Sequence, residues 1–208
     1  MLKFFFLLGA LAGCGSSAWG QGIRYGLKVG VNLARFTTSY NVSGTRNLVG
    51  ATAGLMADAA LGEQLSLHPE LLFSQKGVRF EGSGPSGFKS SEEFRFNYLD
   101  LPVLLRLKLG GFFAEAGPQA GYLLSARNTY MESSSTSPLL TYSVNSTDAS
   151  RRFDVGYVLG VGYQLQERWE LGARYNGGVL GINPGSSGGI QPRNSVFQFQ
   201  AGYLFGGK

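Results

Sequence analysis

The chain has 208 residues, a net charge of +5, 32 glycines, 15 phenylalanines, 10 tyrosines and only 15% charged residues, with a mean hydropathy near zero. That is the length of one ordinary domain; Lys and Arg are scattered, Arg151-Arg152 being their closest approach, which excludes a nucleic-acid partner. No stretch after residue 20 reaches the ~18 consecutive apolar residues of a membrane-crossing helix, so a membrane would be crossed by strands.

Residues 1–20 have the form of a signal peptide, with Lys3 as the positive region, Phe4 to Ala12 as the apolar run and Ala18-Trp19-Gly20 before the cleavage point, so that 21–208 form one domain beginning at Gln21. Leu11-Ala12-Gly13-Cys14 also fits a lipoprotein signal, with lipid on Cys14; the short apolar run favours the simple cleavage. Cys14 is the sole cysteine, so no disulfide is available.

Strand signals then recur along the chain. In the first, Ile23, Tyr25, Leu27, Val29, Val31 and Leu33 alternate with Arg24, Gly26, Lys28, Gly30, Asn32 and Ala34, placing the large apolar residues on one face. Weaker segments follow at about 47–61, 65–80, 94–109 and 112–127. In the third, Leu65, Leu67, Leu71 and Phe73 oppose Ser66, His68, Glu70 and Ser74; in the fourth, the odd positions 99–109 are apolar against Asp100, Arg106 and Lys108. The sixth (153–165), with only Val158 breaking its polar or glycine face, the seventh (Trp169, Leu171, Ala173, Tyr175) and the last (Phe197, Phe199, Ala201, Tyr203, Phe205) alternate. The count is eight.

Connections alternate in length without exception. Gly62-Glu63-Gln64, Gly110-Gly111 and Gln166-Glu167-Arg168 are hairpin turns, whereas 37–46, 81–93, 128–152 and 182–194 are long, polar loops. This predicts an all-β fold: an eight-stranded antiparallel up-and-down transmembrane β-barrel with short periplasmic turns and four long extracellular loops. Such a barrel is only wide enough for side chains to fill it, which suits a glycine-rich inner face. Aromatics near both strand ends of the other face, with Tyr25, Phe112, Tyr163, Trp169, Tyr203 and Phe205 at the turn end and Phe73, Tyr122, Phe153, Tyr175 and Phe197 at the loop end, predict two interfacial girdles.

The inward set is then Arg24, Lys28, Glu70, Lys76, Asp100, Arg106, Glu115, Arg127, Asp154, Glu170 and Arg174, six cations and five carboxylates. Near balance predicts an ion-pair plug, because unpaired charges in a dry interior are costly; a selective pore would show an excess of one sign. Pro69, Pro102 and Pro118 fall inside strands and predict bulges or strand-end positions.

Several segments resemble the PorT-like outer-membrane β-barrel family: Gly26-Leu27-Lys28-Val29-Gly30-Val31-Asn32, Pro69 to Gly77, Tyr98-Leu99-Asp100-Leu101-Pro102, Glu115-Ala116-Gly117-Pro118-Gln119, Phe153-Asp154-Val155-Gly156 and Gly172-Ala173-Arg174-Tyr175-Asn176. The resemblance runs from about 22 to 205 and implies residence in the bacterial outer membrane, with outer-membrane lipid around the barrel and the barrel-assembly machinery as a partner in biogenesis. It implies no common activity: one namesake serves a secretion and gliding apparatus, and most relatives are known only as barrels. Gly206-Gly207-Lys208 after Phe205 departs from an assembly signal that ends on its aromatic.

Chemistry is sparse. His68, the single histidine, shares a strand face with Ser66 and Glu70, a set that could be nucleophilic machinery but reads more simply as part of a polar lumen. One histidine and one cysteine make no metal site, no cofactor motif is present, and Gly185 to Gly189 lack the context of a phosphate loop. The 128–152 segment, carrying Tyr130, Met131, Leu139, Leu140 and Tyr142, is the expected place for a protein partner. The expected protein is a monomeric, non-enzymatic structural, adhesive or envelope-assembly element with a plugged lumen. The alternatives are a hydrolase or acyltransferase barrel, a small passive porin, and a soluble ligand-binding barrel.

Overall fold

A computed structural model describes residues 23–37, 44–85, 88–134, 137–147, 151–182 and 192–205. The signal peptide, the Cys14 alternative, most of the first long loop and the Gly185–Gly189 stretch lie outside the described residues.

Nine strands follow in chain order: β1 (Arg24–Thr37), β2 (Thr45–Ala60), β3 (Leu65–Ser83), β4 (Lys89–Leu109), β5 (Phe112–Ser134), β6 (Ser137–Asn145), β7 (Phe153–Leu165), β8 (Trp169–Gly178) and β9 (Arg193–Phe205). Eight of them close into an antiparallel ring, β1-β2-β3-β4-β5-β7-β8-β9, sealed by β1 against β9 from Tyr25↔Phe205 to Thr37↔Arg193. Closure leaves no open edge in the ring, the condition a sheet must meet in hydrocarbon, where unpaired N–H and C=O groups find no water.

The two faces reverse the usual order of burial. Val29, Val161 and Phe199 are 58%, 62% and 55% exposed, while Lys28 and Gln198 are 2% and 1% exposed. A soluble barrel would bury the first set and expose the second, so the outer surface is built for lipid. Its aromatics gather in ring contacts at both ends: Trp169 with Tyr203 and Phe112 with Tyr163 at 4.8 and 4.9 Å near the turns, and Tyr122 with Phe153 and Tyr175 with Phe197 at 5.2 and 5.1 Å near the loops.

The short connections are residues 61–64, 110–111 and 166–168. Two long ones are shorter than the sequence suggested. β3 and β4 continue in register to Ser83↔Lys89, inside the expected 81–93 loop. The expected 128–152 loop is corrected more strongly: β5 runs on to Ser134 and folds back as β6, which pairs with it from Arg127↔Asn145 to Ser134↔Ser137. Its Ser and Thr content hid the alternation of Leu140, Tyr142 and Val144. β3, β4 and β5, joined by β6 and by the first residues of β2, therefore continue as a sheet past the Tyr122↔Phe153 pair where β7 leaves β5.

The bulges expected at the prolines are also corrected. Pro69, Pro102 and Pro118 sit opposite Val103, Gln119 and Tyr157 with no shift of register; pairing lapses briefly after Pro69 and after Pro102 instead. The register shifts fall at Asn47/Thr52, Asn97/Tyr98 and Glu132/Ser134.

Candidate functional site: a filled lumen and an extracellular sheet

Because every second residue of each ring strand points inward, the lumen is a stack of side-chain layers. At the turn end, Asp58 accepts from Arg24 Nη2 at 2.6 Å and from Lys108 Nζ at 2.7 Å. His68 stands above it, Nδ1 3.8 Å from Asp58 and Nε2 3.3 Å from Glu70. Glu70 in turn takes Lys28 at 2.5 Å and Arg174 at 2.9 Å. Arg106 grips Glu115 through Nε and Nη2 at 3.1 and 2.8 Å, and Glu170 through Nη1 at 2.5 Å, while its guanidinium lies 4.0 Å from the Phe113 ring centroid.

Neutral groups continue the stack. Arg174 Nε donates to Gln198, Gln198 Nε2 to Asn32 at 2.7 Å, and Asn32 Nδ2 to Ser74 at 3.0 Å. Toward the loops, Lys76 pairs with Asp100 at 2.9 Å, approaches Asp154 at 4.0 Å and lies 4.7 Å from the Tyr98 ring centroid; Asn194 donates to Asp154 at 2.8 Å. Above this layer, Phe96, Tyr98, Leu123, Ala126 and Ile182 form an apolar cluster with Phe36 and Phe94 against it.

Ten of the eleven lumen residues named from sequence stand in this stack. Arg127 does not, and this is a correction. The register shift between Asn97 and Tyr98 inserts Leu124 as an extra residue on β5, so the alternation beyond it changes phase and Arg127 faces outward, exposed, while Ala126 is buried. The sequence reading missed Asp58 and Lys108. With them included and Arg127 removed, the lumen holds six cations (Arg24, Lys28, Lys76, Arg106, Lys108, Arg174) and six carboxylates (Asp58, Glu70, Asp100, Glu115, Asp154, Glu170). The missed apolar cap had a signal: Phe94, Phe96 and Tyr98 occupy even positions, whereas the apolar positions from Leu99 to Leu109 are odd.

Among the described residues, the charged groups of the lumen are mostly buried. Between Lys76, Gln119, Asp154 and Asn176 remains a void of about 10 Å³, the space of roughly one water. A larger groove of about 600 Å³ is walled by outward side chains such as Leu105, Leu107, Leu159 and Phe199, with the lumen residues Glu115, Arg174 and Gln198 also contributing to its lining. Ser66, His68 and Glu70 come together as the sequence placed them, but at 0%, 0% and 2% exposure they are sealed inside the wall.

The extracellular sheet has two unlike faces. Phe80 and Phe94 meet edge to face at 5.9 Å and Tyr130 stacks on Tyr142 at 4.9 Å along the side continuous with the lumen. On the other side Glu93 bridges Arg79 and Arg95 at 2.6 and 2.7 Å. Partial burial opposes charge on Glu93, but the two guanidinium groups outweigh it and hold the carboxyl below the usual range. Among the described residues β6 pairs with β5 alone, and it carries Leu139, Leu140, Tyr142 and Val144 exposed with no charged residue between 137 and 145.

The family model described as "outer membrane protein beta-barrel domain" matches residues 16–183. Among solved structures, the chain aligns with Ail of Yersinia pestis (11% identity, 89% of this chain and 100% of that one, TM-score 0.46) and with Neisserial surface protein A (12%, 89% and 100%, TM-score 0.43). It also aligns with a major outer membrane protein of Thermus thermophilus (17%, 89% and 100%, TM-score 0.46). No curated protein sequence matches.

Proposed function

We infer the role from one premise: the chain belongs to the outer membrane protein beta-barrel domain family and resides in the bacterial outer membrane. There it serves as a non-enzymatic, plugged, monomeric barrel that anchors an extracellular sheet, a structural or adhesive element rather than a channel or a catalyst. One observation carries this reading: six cations and six carboxylates neutralise one another inside the ring beneath an apolar cap. A solute would have to break several buried pairs, each costly to open, and a substrate could not reach His68.

With the lumen occupied, contact is left to the sheet of β3 to β6. The β6 edge lacks the charges and prolines that usually blunt a free strand (Pro138 at its start aside), so it suits an extended partner strand bearing apolar residues at alternate positions. The sequence segments named above support a PorT-like branch of the family and, with it, an envelope-assembly setting; the barrel fold supports insertion by the barrel-assembly machinery.

The test is deletion of residues 130–148 followed by cross-linking on intact cells. Loss of specific cross-linked proteins, with the barrel still present and heat-modifiable on gels, is expected. An unchanged set of partners contradicts the reading.

A further inference from the structure

Beyond the loop-end girdle, the outward wall changes chemistry row by row. Phe73, Leu99 and Tyr122 stand side by side on β3, β4 and β5. The next row is Gln75, Asn97 and Ser125, with Asn97 Nδ2 donating to Ser125 Oγ at 2.9 Å. After it Arg95 stands directly opposite Arg127, and one row further Arg46 stands directly opposite Arg79. Like charges placed directly opposite destabilise a sheet, so two such pairs on adjacent strands call for anions.

Two carboxylates supply part of the need. Glu93 takes Arg79 and Arg95, and Glu81 takes Arg46 at 3.1 Å. Arg127 is exposed and has no carboxylate partner among the described residues. Four guanidinium groups against two carboxylates leave an excess of two positive charges on this face. Gly77, Arg95's partner on β3, puts no side chain in the way.

The level of these rows identifies the anion. Four residues separate Leu99 from Arg95, ~13 Å of strand, and a strand tilted by about 40° places that on the order of 10 Å above the hydrocarbon edge. Headgroups occupy roughly 5–8 Å there, and arginine stems bend back toward a membrane. We propose that Arg95 and Arg127, with Arg46 and Arg79 beside them, form a clamp for the phosphate of an outer-leaflet lipid headgroup. The planar forks suit bidentate phosphate contacts, and a single lipid can lay its acyl chains on Phe73, Leu99 and Tyr122 while its phosphate meets Arg95 and Arg127. A site on the lipid-facing wall favours a lipid over a soluble polyanion.

The experiment uses the full barrel in neutral detergent, titrated with bisphosphorylated lipid A, with the same lipid A after phosphatase treatment, and with heparin as a soluble polyanion, adducts being counted by native mass spectrometry. The wild type is expected to hold bisphosphorylated lipid A at least ten-fold more tightly than the other two. The R95Q/R127Q variant should lose that preference and keep its heat-modifiable gel mobility. The single variant R127Q, altered at an exposed position with no carboxylate partner among the described residues, should lose at least three-fold and stands in if the double variant misfolds. Equal retention of both lipid forms, wild-type retention by R127Q, or heparin binding as tight as lipid A overturns the proposal.

Discussion

Arg174 on β8 and Glu70 on β3 meet across the full width of the barrel, Nη1 2.9 Å from Oε2, although four steps of the eight-membered ring separate their strands. Neighbouring strands are held by their ladders; this pair ties opposite walls. Both side chains are fully buried, so breaking the contact from one side leaves an uncompensated charge in a dry interior.

Glu70→Gln and Arg174→Met are each expected to lower stability by about 3–5 kcal/mol. The double variant should cost about 1–3 kcal/mol less than the sum of the two, because each single change already removes the shared contact. Urea unfolding in detergent micelles measures both. Strict additivity would show that the contact does not couple the two walls.

Gly162 makes room for another layer. A Cβ there would lie 2.3 Å from Phe113 Cζ, and Phe113 carries the Arg106 guanidinium on its face. Gly162→Ala should destabilise by about 1–3 kcal/mol through overpacking, and Phe113→Leu in the same chain should recover part of the loss. An alanine variant as stable as the wild type would show that the ring has freedom to move.

Gln166 and Glu167 hold the β7–β8 turn at φ 48° and 58°, the left-handed region that costs residues with a Cβ. Glu167 contributes its backbone oxygen to Arg24, a bond that any residue preserves. Glu167→Gly should therefore raise stability, by about 1 kcal/mol, seen as a higher urea midpoint with an unchanged slope. A lowered midpoint would mean that the glutamate side chain serves the turn.

Glu93 gives the extracellular sheet a dependence on pH. Its carboxyl is held low by Arg79 and Arg95 in the folded sheet and returns to about 4.3 when the sheet opens. A lowered folded pKa means that the stabilisation is fully present above about 4.3 and is lost as pH falls through the lower folded value. Hydrogen exchange at the amides of Phe80 and Phe94, corrected for intrinsic rates, should accelerate on acidification to about pH 3, and Glu93→Gln should remove that dependence. Equal pH response in the Gln variant would place the switch elsewhere.

The architecture was readable because β1, β7, β8 and β9 keep their large apolar residues on one face, Val158 aside, and because short turns and long polar segments alternate along the sequence. One feature that escaped depends on a single inserted residue. The extra Leu124 moves Arg127 from the expected lumen to the outer wall, and no local property of Arg127 announces it, since period two carries no memory of phase across a bulge. The apolar cap escaped for another reason: Phe96 and Tyr98 lie on the same inward, even face of β4 as Asp100 and Arg106, and that face changes from charged to apolar without any change of phase. Asp58 lies in a weakly alternating, alanine-rich segment, and its partners Arg24 and Lys108 come from other strands, a convergence that only the closed ring creates. β6 escaped because Ser and Thr fill the positions between its apolar residues.

Single-channel recording of the purified wild-type barrel in planar bilayers puts the plugged lumen to its sharpest test. Balanced buried pairs beneath an apolar cap predict a flat trace, with no discrete steps above background leakage at any voltage the bilayer tolerates. Reproducible steps of defined size, absent from control membranes, would contradict the plug and make the barrel a pore.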